Sequence, residues 1–279
     1  MSIDRYIETL TLANATLTPA RLPGLKAARG ATRSGSAAGP PPMTPASPMP
    51  GDLQAAVDAG SLLSFVEGVN VQEKDDVLFS VQLAQRGASG AFDRFTQTES
   101  WYRKYVEILE NLGWTAEQLA FARYDQSEGE IRMDKAALVV IAAIATQNQL
   151  AVLQESVKAL AALADDDGSI RLFDFHTAAK MSGNFQIGAV QKAANEALAL
   201  ALGAFYFDGA DARRRFLFFS WGAQKVNFWA AAQKMTLNMT LYAQHRDLVQ
   251  RKLGASSADF IGALVLGRDS PSRQTGVKT

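Results

Sequence analysis

From Gly51 to Ser270 the chain contains no proline, a run of 220 residues, while eight of its nine prolines lie in the first fifty. Proline breaks helix interiors and central strands, so nothing of that kind interrupts an element anywhere in this run. With 48% apolar residues, a stretch of this length can bury a large core, as one domain or two small ones. The chain has no cysteine. That excludes a disulfide scaffold, thiolate-bound zinc, an iron–sulfur centre, a cysteine nucleophile and any thioester-linked lipid. Twenty-eight basic residues balance twenty-eight acidic ones. A dedicated nucleic-acid binder would carry a basic surplus, so nucleic acid is not an expected partner.

Residues 23–50 are rich in Pro, Gly, Ala and Ser and have almost nothing to bury. They read as a disordered or polyproline-like linker. Ahead of them, Ile3, Tyr6, Ile7, Leu10 and Leu12 fit a short amphipathic helix that ends before Pro19. No apolar h-region follows a basic start, so a secretory signal peptide is not expected. The expected organisation is a solvated leader over 1–50, one domain over 51–267 and a flexible tail over 268–279.

The body reads as helices first. Asp52–Phe65, Gln72–Ala88 and Glu99–Leu112 all show helical spacing, with Gly113 placed to end the third. A turn at Gly87–Gly90 would fold the last two into a hairpin. Glu117–Tyr124 alternates as a strand. Asp134–Ala164 then reads as a buried helix or helical hairpin, uncharged from Ala136 to Gln154. After Gly183 the period changes to two. Asn184–Lys192, Glu196–Phe207, Arg214–Ala230 (bent at Gly222) and Lys234–Tyr242 read as consecutive strands, and Gln244–Leu253 as a helix. Helices, then strands, make an α+β fold with a mainly antiparallel sheet. Glu196–Phe207 is apolar on both faces, which requires helices on both sides of it. The expected architecture is a three-layer sandwich.

No specific catalytic or metal signature stands out. His176 and His245 are the only histidines. Asp174, His176 and Ser182 are close in sequence but lack the spacing of a hydrolase set. Leu163–Asp174 resembles a calcium loop in part, yet Leu163 occupies the first ligand position. No glycine-rich phosphate loop occurs. Neither a catalytic nor a metal residue is expected. Arg213, Arg214 and Arg215 form a basic run that is either a solvated turn or a contact to anionic lipid. Trp221 and Trp229 lie among clustered aromatics that fit either a bilayer interface or ordinary core.

The order of elements resembles the cytolysin fold of the Cyt-type insecticidal toxins, and more closely the Evf-type bacterial virulence factors that share it. The residues that carry the resemblance are Asp76–Ser80 with Leu83–Gln85, then Trp101–Glu107 running to Asn111–Trp114, and the strand series from Asn184 to Tyr242. It covers about residues 60–265. The resemblance implies a bacterial virulence or toxin-like protein that associates with lipid, and the leading expectation is one without enzymatic activity. It would be cytoplasmic before release or exported without a classical signal peptide, and would associate with lipid or form homo-oligomers on a membrane. A soluble carrier of a fatty acyl or other apolar ligand, and an enzyme with an apolar cavity and His176 or His245 as base, are the alternatives. The Evf type holds a fatty acyl chain through a cysteine, which this chain cannot do. A non-covalent fatty acid, the one cofactor-like ligand expected, would lie between the Ala-rich helix and the sheet. Leu138, Ile141, Ala142, Ala145, Leu153, Val157, Ala199, Ala201 and Phe205 are its expected contacts. Close helix–sheet packing is the other reading of the same alanines.

Overall fold

Three strands of eleven residues each, β7 (Ser182–Lys192), β8 (Leu198–Asp208) and β10 (Asn227–Leu237), form the middle of an eight-stranded sheet. They pair antiparallel over their full lengths, Lys192 opposite Leu198 and Leu237 opposite Leu198. A computed structural model describes residues 2–13, 55–58, 60–116, 119–124, 130–162, 177–179, 182–209, 216–218, 220–222 and 226–263. The sheet order is β1-β2-β7-β8-β10-β3, where β1 is Ala55–Asp58, β2 is Ser61–Phe65 and β3 is Trp114–Thr115. Two short strands join it off this path: β4 (Ala122–Arg123) on β10 and β6 (Ala178–Ala179) on β7. A separate pair is formed by β5 (Glu130–Arg132) and β9 (Ser220–Gly222).

One face of the sheet is covered by α2 (Val71–Ala91), α3 (Thr98–Asn111), the N-terminal α1 (Ile3–Thr9) and the C-terminal α6 (Met239–Ala263). The other is covered by a hairpin of α4 (Met133–Ala142) and α5 (Gln147–Ala162). Strand alternation divides the two cores. Leu198, Leu200, Leu202 and Ala204 of β8 face α2 and α3, while Ala201, Phe205 and Phe207 face α4 and α5. The three-layer α+β sandwich expected from the sequence is therefore the observed fold.

Several elements differ from expectation. Asp52–Phe65 is not a helix over the described residues but the β1–β2 hairpin. Leu62 belongs to the α4–α5 core, and Leu63 and Phe65 to the opposite one. A strand buries neighbouring residues on opposite faces, whereas a helix would turn some of them to water. β2 also runs parallel to β7, so the sheet is mixed. Gly87–Gly90 lies inside α2, and the chain reverses at Phe92–Gln97, where Asp93 accepts hydrogen bonds from the Phe95 and Thr96 amides. Of the strand expected over Glu117–Tyr124, the described residues 119–124 form strand at Ala122–Arg123 alone.

The long third strand expected over Arg214–Ala230 is not continuous over the described residues: Ser220–Gly222 and Asn227–Ala230 are strand, in β9 and β10. A 3₁₀ turn at Phe216–Phe218 places Leu217 in the core under α4, and β10 begins only at Asn227. The expected fourth strand is also absent. Its first residues finish β10, and Asn238 then ends the strand by accepting the Leu241 amide on its side chain at 3.0 Å. The alternation of Met235, Leu237, Met239 and Leu241 thus runs through a strand–helix junction.

Residues 2–13 also depart from the solvated leader. Tyr6, Ile7 and Leu10 are buried against the α2–α3 core, and Asp4 and Glu8 meet α6 through His245 and Lys252. The remainder of the expected leader (14–50) and the tail over 268–279 lie outside the described residues.

Candidate functional site

The space expected to hold an acyl chain, between α4–α5 and the sheet, is filled by side chains. Ile141, Leu153, Val157, Ala201 and Phe205 are all buried there among one another and among Phe185, Ile187 and Phe228. Phe185, Phe205 and Phe228 stack in a row, with centroids 5.0 and 5.8 Å apart. A Cβ at Gly203 would stand 2.6 Å from the Phe205 ring and 2.7 Å from the Ile141 side chain, so glycine leaves room here for both. Gln149 closes one end, donating to the carbonyls of Ala189 and Ala199 at 3.0 Å each. Of the other expected contacts, Leu138, Ala145 and Ala199 are partly exposed and Ala142 is exposed.

The outer side of α4 is largely apolar as well, whereas α5 exposes Gln147, Asn148, Gln154, Glu155 and Lys158. Val139 is 62% exposed, Ala142 and Ala143 are exposed, and Leu138, Val140 and Ile144 are partly so. Lys135 is exposed at the start of α4, and no charged residue follows from Ala136 to Gln154. No helix among the described residues is long and apolar enough to cross a membrane.

At the far end of the sheet an aromatic group stands on the α3 side. Tyr206 and Trp229 are direct cross-strand neighbours, and their rings stack at 4.6 Å. Phe121 meets Tyr206 edge-on at 5.2 Å and Tyr102 at 4.9 Å. These residues line two adjoining hollows. A cleft of about 660 Å³ lies between the start of α3 and the ends of β7, β8 and β10. A smaller one of about 240 Å³ lies against Tyr102, Arg103 and Phe121, and Glu99 borders both. Burial, together with the charge of Glu99, raises the Tyr206 phenol pKa.

The α2–α3 layer is joined to the sheet through buried polar groups. Gln85 donates to the Ser61 hydroxyl, Ser61 donates to Gln186 at 2.8 Å, and Gln186 donates to the Tyr102 hydroxyl at 3.1 Å. Tyr102 donates to Asn184, whose amide donates to the Arg94 carbonyl at 2.9 Å. The Arg94 guanidinium lies 4.7 Å over the Trp101 ring, and burial pulls its pKa down to about 10. Asp58 ends this seam. Its Oδ2 is buried without a hydrogen-bond partner, and burial pushes its carboxyl up to about 7 against the opposing pull of Arg86. Asp58, Arg94 and Glu99 carry no local sequence signal for these roles, because only the sheet register and the packing of α2 and α3 bring them to these places.

The remaining expected residues separate. Trp229 joins the aromatic group, whereas Trp221 lies in β9, with its side chain outside the described set. Arg213, Arg214, Arg215, His176 and the calcium-like segment up to Asp174 lie outside the described residues. His245 is buried, with Nδ1 2.7 Å from the Asp4 carboxylate. Among the described residues no group of three or more His, Asp or Glu is placed to hold a metal ion.

No protein-family model matches the chain, and no curated protein does. Seven chains of solved structures match. One is a delta-endotoxin, with TM-score 0.38 and 10% identity, covering 64% of this chain and 81% of that one. Another is the activated Cyt2Ba monomer from Bacillus thuringiensis subsp. israelensis, at 0.39 and 11%, covering 64% and 97%. A third is the Evf virulence factor, at 0.31 and 8%, covering 72% and 86%. Both kinds of protein that the sequence resembles are thus among its structural neighbours. The likeness is one of fold.

Proposed function

We propose that this chain is a non-enzymatic, membrane-interacting protein of toxin-like type that binds lipid through the outer face of α4. The observation that supports this reading is the exposed apolar surface around Val139, Ala142 and Ala143, free of charge for 19 residues. Such a surface gains free energy when it leaves water for the acyl boundary of a bilayer. A charge on it opposes that transfer by more than the 1.4 kcal/mol that makes a tenfold change.

The V139E/A142E variant should therefore partition onto vesicles at least tenfold more weakly than the parent, with unchanged circular dichroism. The reading would fail if the parent neither sedimented with neutral and anionic vesicles nor released trapped dye. Equal sedimentation of parent and variant would also remove α4 as the contact. The three eleven-residue strands match the roughly 9–11 residues that a spanning strand needs. Dye release beyond simple binding would be assigned to a rearranged state of these strands.

A further inference from the structure

The place where α1 sits, against α2, α3 and α6, has the form of a groove that binds an amphipathic helix. Ile3, Tyr6, Ile7 and Leu10 stand at i, i+3, i+4 and i+7 and pack into it, while Asp4, Arg5, Glu8 and Thr9 remain exposed. Polar pairs fix the segment to each wall. Tyr6 donates to Glu107 of α3 at 2.8 Å, the Asp4 carboxylate meets His245 of α6 at 2.7 Å, and the Ala13 amide donates to the Arg86 carbonyl of α2 at 3.0 Å. The wall itself is shaped for this occupant. Gly90 stands in the last turn of α2, where a Cβ would run into the Thr11 carbonyl oxygen and the Ala13 nitrogen.

We infer that the groove of one copy accepts α1 of a second copy, so that the chain associates by exchanging its N-terminal helix. The length of chain between helix and body permits this. Residues 14–54 lie between Ala13 and β1, and a stretch of that length spans at most about 140 Å. A compact chain of this size has a radius of gyration of about 19 Å. The connection is therefore long enough to reach the groove of an adjoining copy as well as its own. The contacts are the same in both cases, made within one chain or across two. What favours a chain's own helix is its effective concentration, on the order of a millimolar at most for a connection this long. Below that concentration each chain closes on itself, and above it exchange joins copies.

Exchange needs neither the α4 face nor a bilayer, so it holds or fails independently of the proposed membrane contact. The test is complementation between two full-length variants in solution. Ile7→Asp removes the central anchor of α1 and leaves the groove without its helix. Gly90→Ala blocks the groove and leaves α1 competent, and alanine is the better helix former, so α2 is kept. Because α1 is docked in its own chain, its dissociation constant in trans lies below the effective concentration. An equimolar mixture at about a millimolar should therefore sediment as a 1:1 complex, with each variant alone a monomer. No complex between variants that both keep the parent's circular dichroism overturns the proposal. Should either variant lose that signal, a second pair at less buried positions decides. The chain has no cysteine, and Lys252 of α6 donates to the Glu8 carbonyl at 2.7 Å, so Glu8→Cys and Lys252→Cys place single thiols on the two sides of this contact. Mixed equally at about a millimolar and oxidised, they should give more heterodimer than the half expected of random pairing, and roughly hundredfold dilution before oxidation should abolish the excess. Random pairing, or no dimer, overturns the proposal.

Discussion

Replacing Asp58 by asparagine is expected to make the protein more stable at pH 8 and to leave it nearly unchanged at pH 4. Burial pushes the Asp58 carboxyl from its ordinary 3.8 up to about 7, so the folded chain holds a proton that the unfolded chain has lost. The stability this proton contributes is fully present below pH 4 and disappears as the pH rises through about 7. Between those values unfolding free energy should fall by about 1.4 kcal/mol per pH unit from this group alone. Asp58→Asn abolishes that slope and should gain roughly 2–4 kcal/mol at pH 8. Urea titrations of parent and variant at pH 4, 6 and 8 measure it, and parallel pH profiles would show that Asp58 ionises normally. The sensitivity is local to one layer. Asp58 faces Gln82, Gln85 and Arg86 of α2, and its charge reaches Tyr105 of α3, so the α2–α3 hairpin is where its ionisation acts. Among the described residues of the α4–α5 hairpin the one buried carboxylate, Asp134, is paired with Arg132 at 2.6 Å, and the hairpin otherwise meets the sheet through an apolar core with Gln149 at its end. The two layers should therefore respond differently to pH.

The sequence carried the layer order because periodicity survives wherever one element meets one environment. Helices α2 and α3 show an apolar face at 3.6 spacing, and β7 and β8 alternate between two cores, so each was legible. The failures share a physical cause. Leu62, Leu63 and Phe65 satisfy helical spacing because β2 is buried on both faces, so its apolar residues need not alternate, and Ala56 and Val57 of β1 extend the pattern. Met239 and Leu241 continue a strand pattern by coincidence, and the local hydrogen bond of Asn238 decides the boundary. Trp229 could be picked out by residue type alone. Its pairing with Tyr206, and the arrival of Glu99 at the same cleft, depend on register and on where α3 starts, which no local pattern encodes.

The first thirteen residues make the second strong prediction. Ile7 is fully buried between α1 and the body, and Tyr6 and Leu10 are buried beside it. Around that apolar contact the segment is tied at several points. Tyr6 donates to Glu107 at 2.8 Å, Lys252 donates to the Glu8 carbonyl at 2.7 Å, and the Ala13 amide donates to the Arg86 carbonyl at 3.0 Å. Gly90 of α2 makes room for it, since a Cβ there would stand 2.0 Å from the Thr11 carbonyl oxygen. These contacts make α1 part of the α2–α3–α6 layer although 45 residues, 10–54, separate it from β1 in sequence. Ile7→Ala should cost about 2–5 kcal/mol through the cavity it leaves. Ile7→Asp should cost more, because it places an unpaired charge in the same space. Glu8→Gln, on the exposed side of the same helix, should stay within about 0.5 kcal/mol of the parent. Chemical denaturation of the three variants orders them. If Ile7→Asp unfolded at the same midpoint as Glu8→Gln, α1 would contribute nothing to the layer and its burial would be incidental.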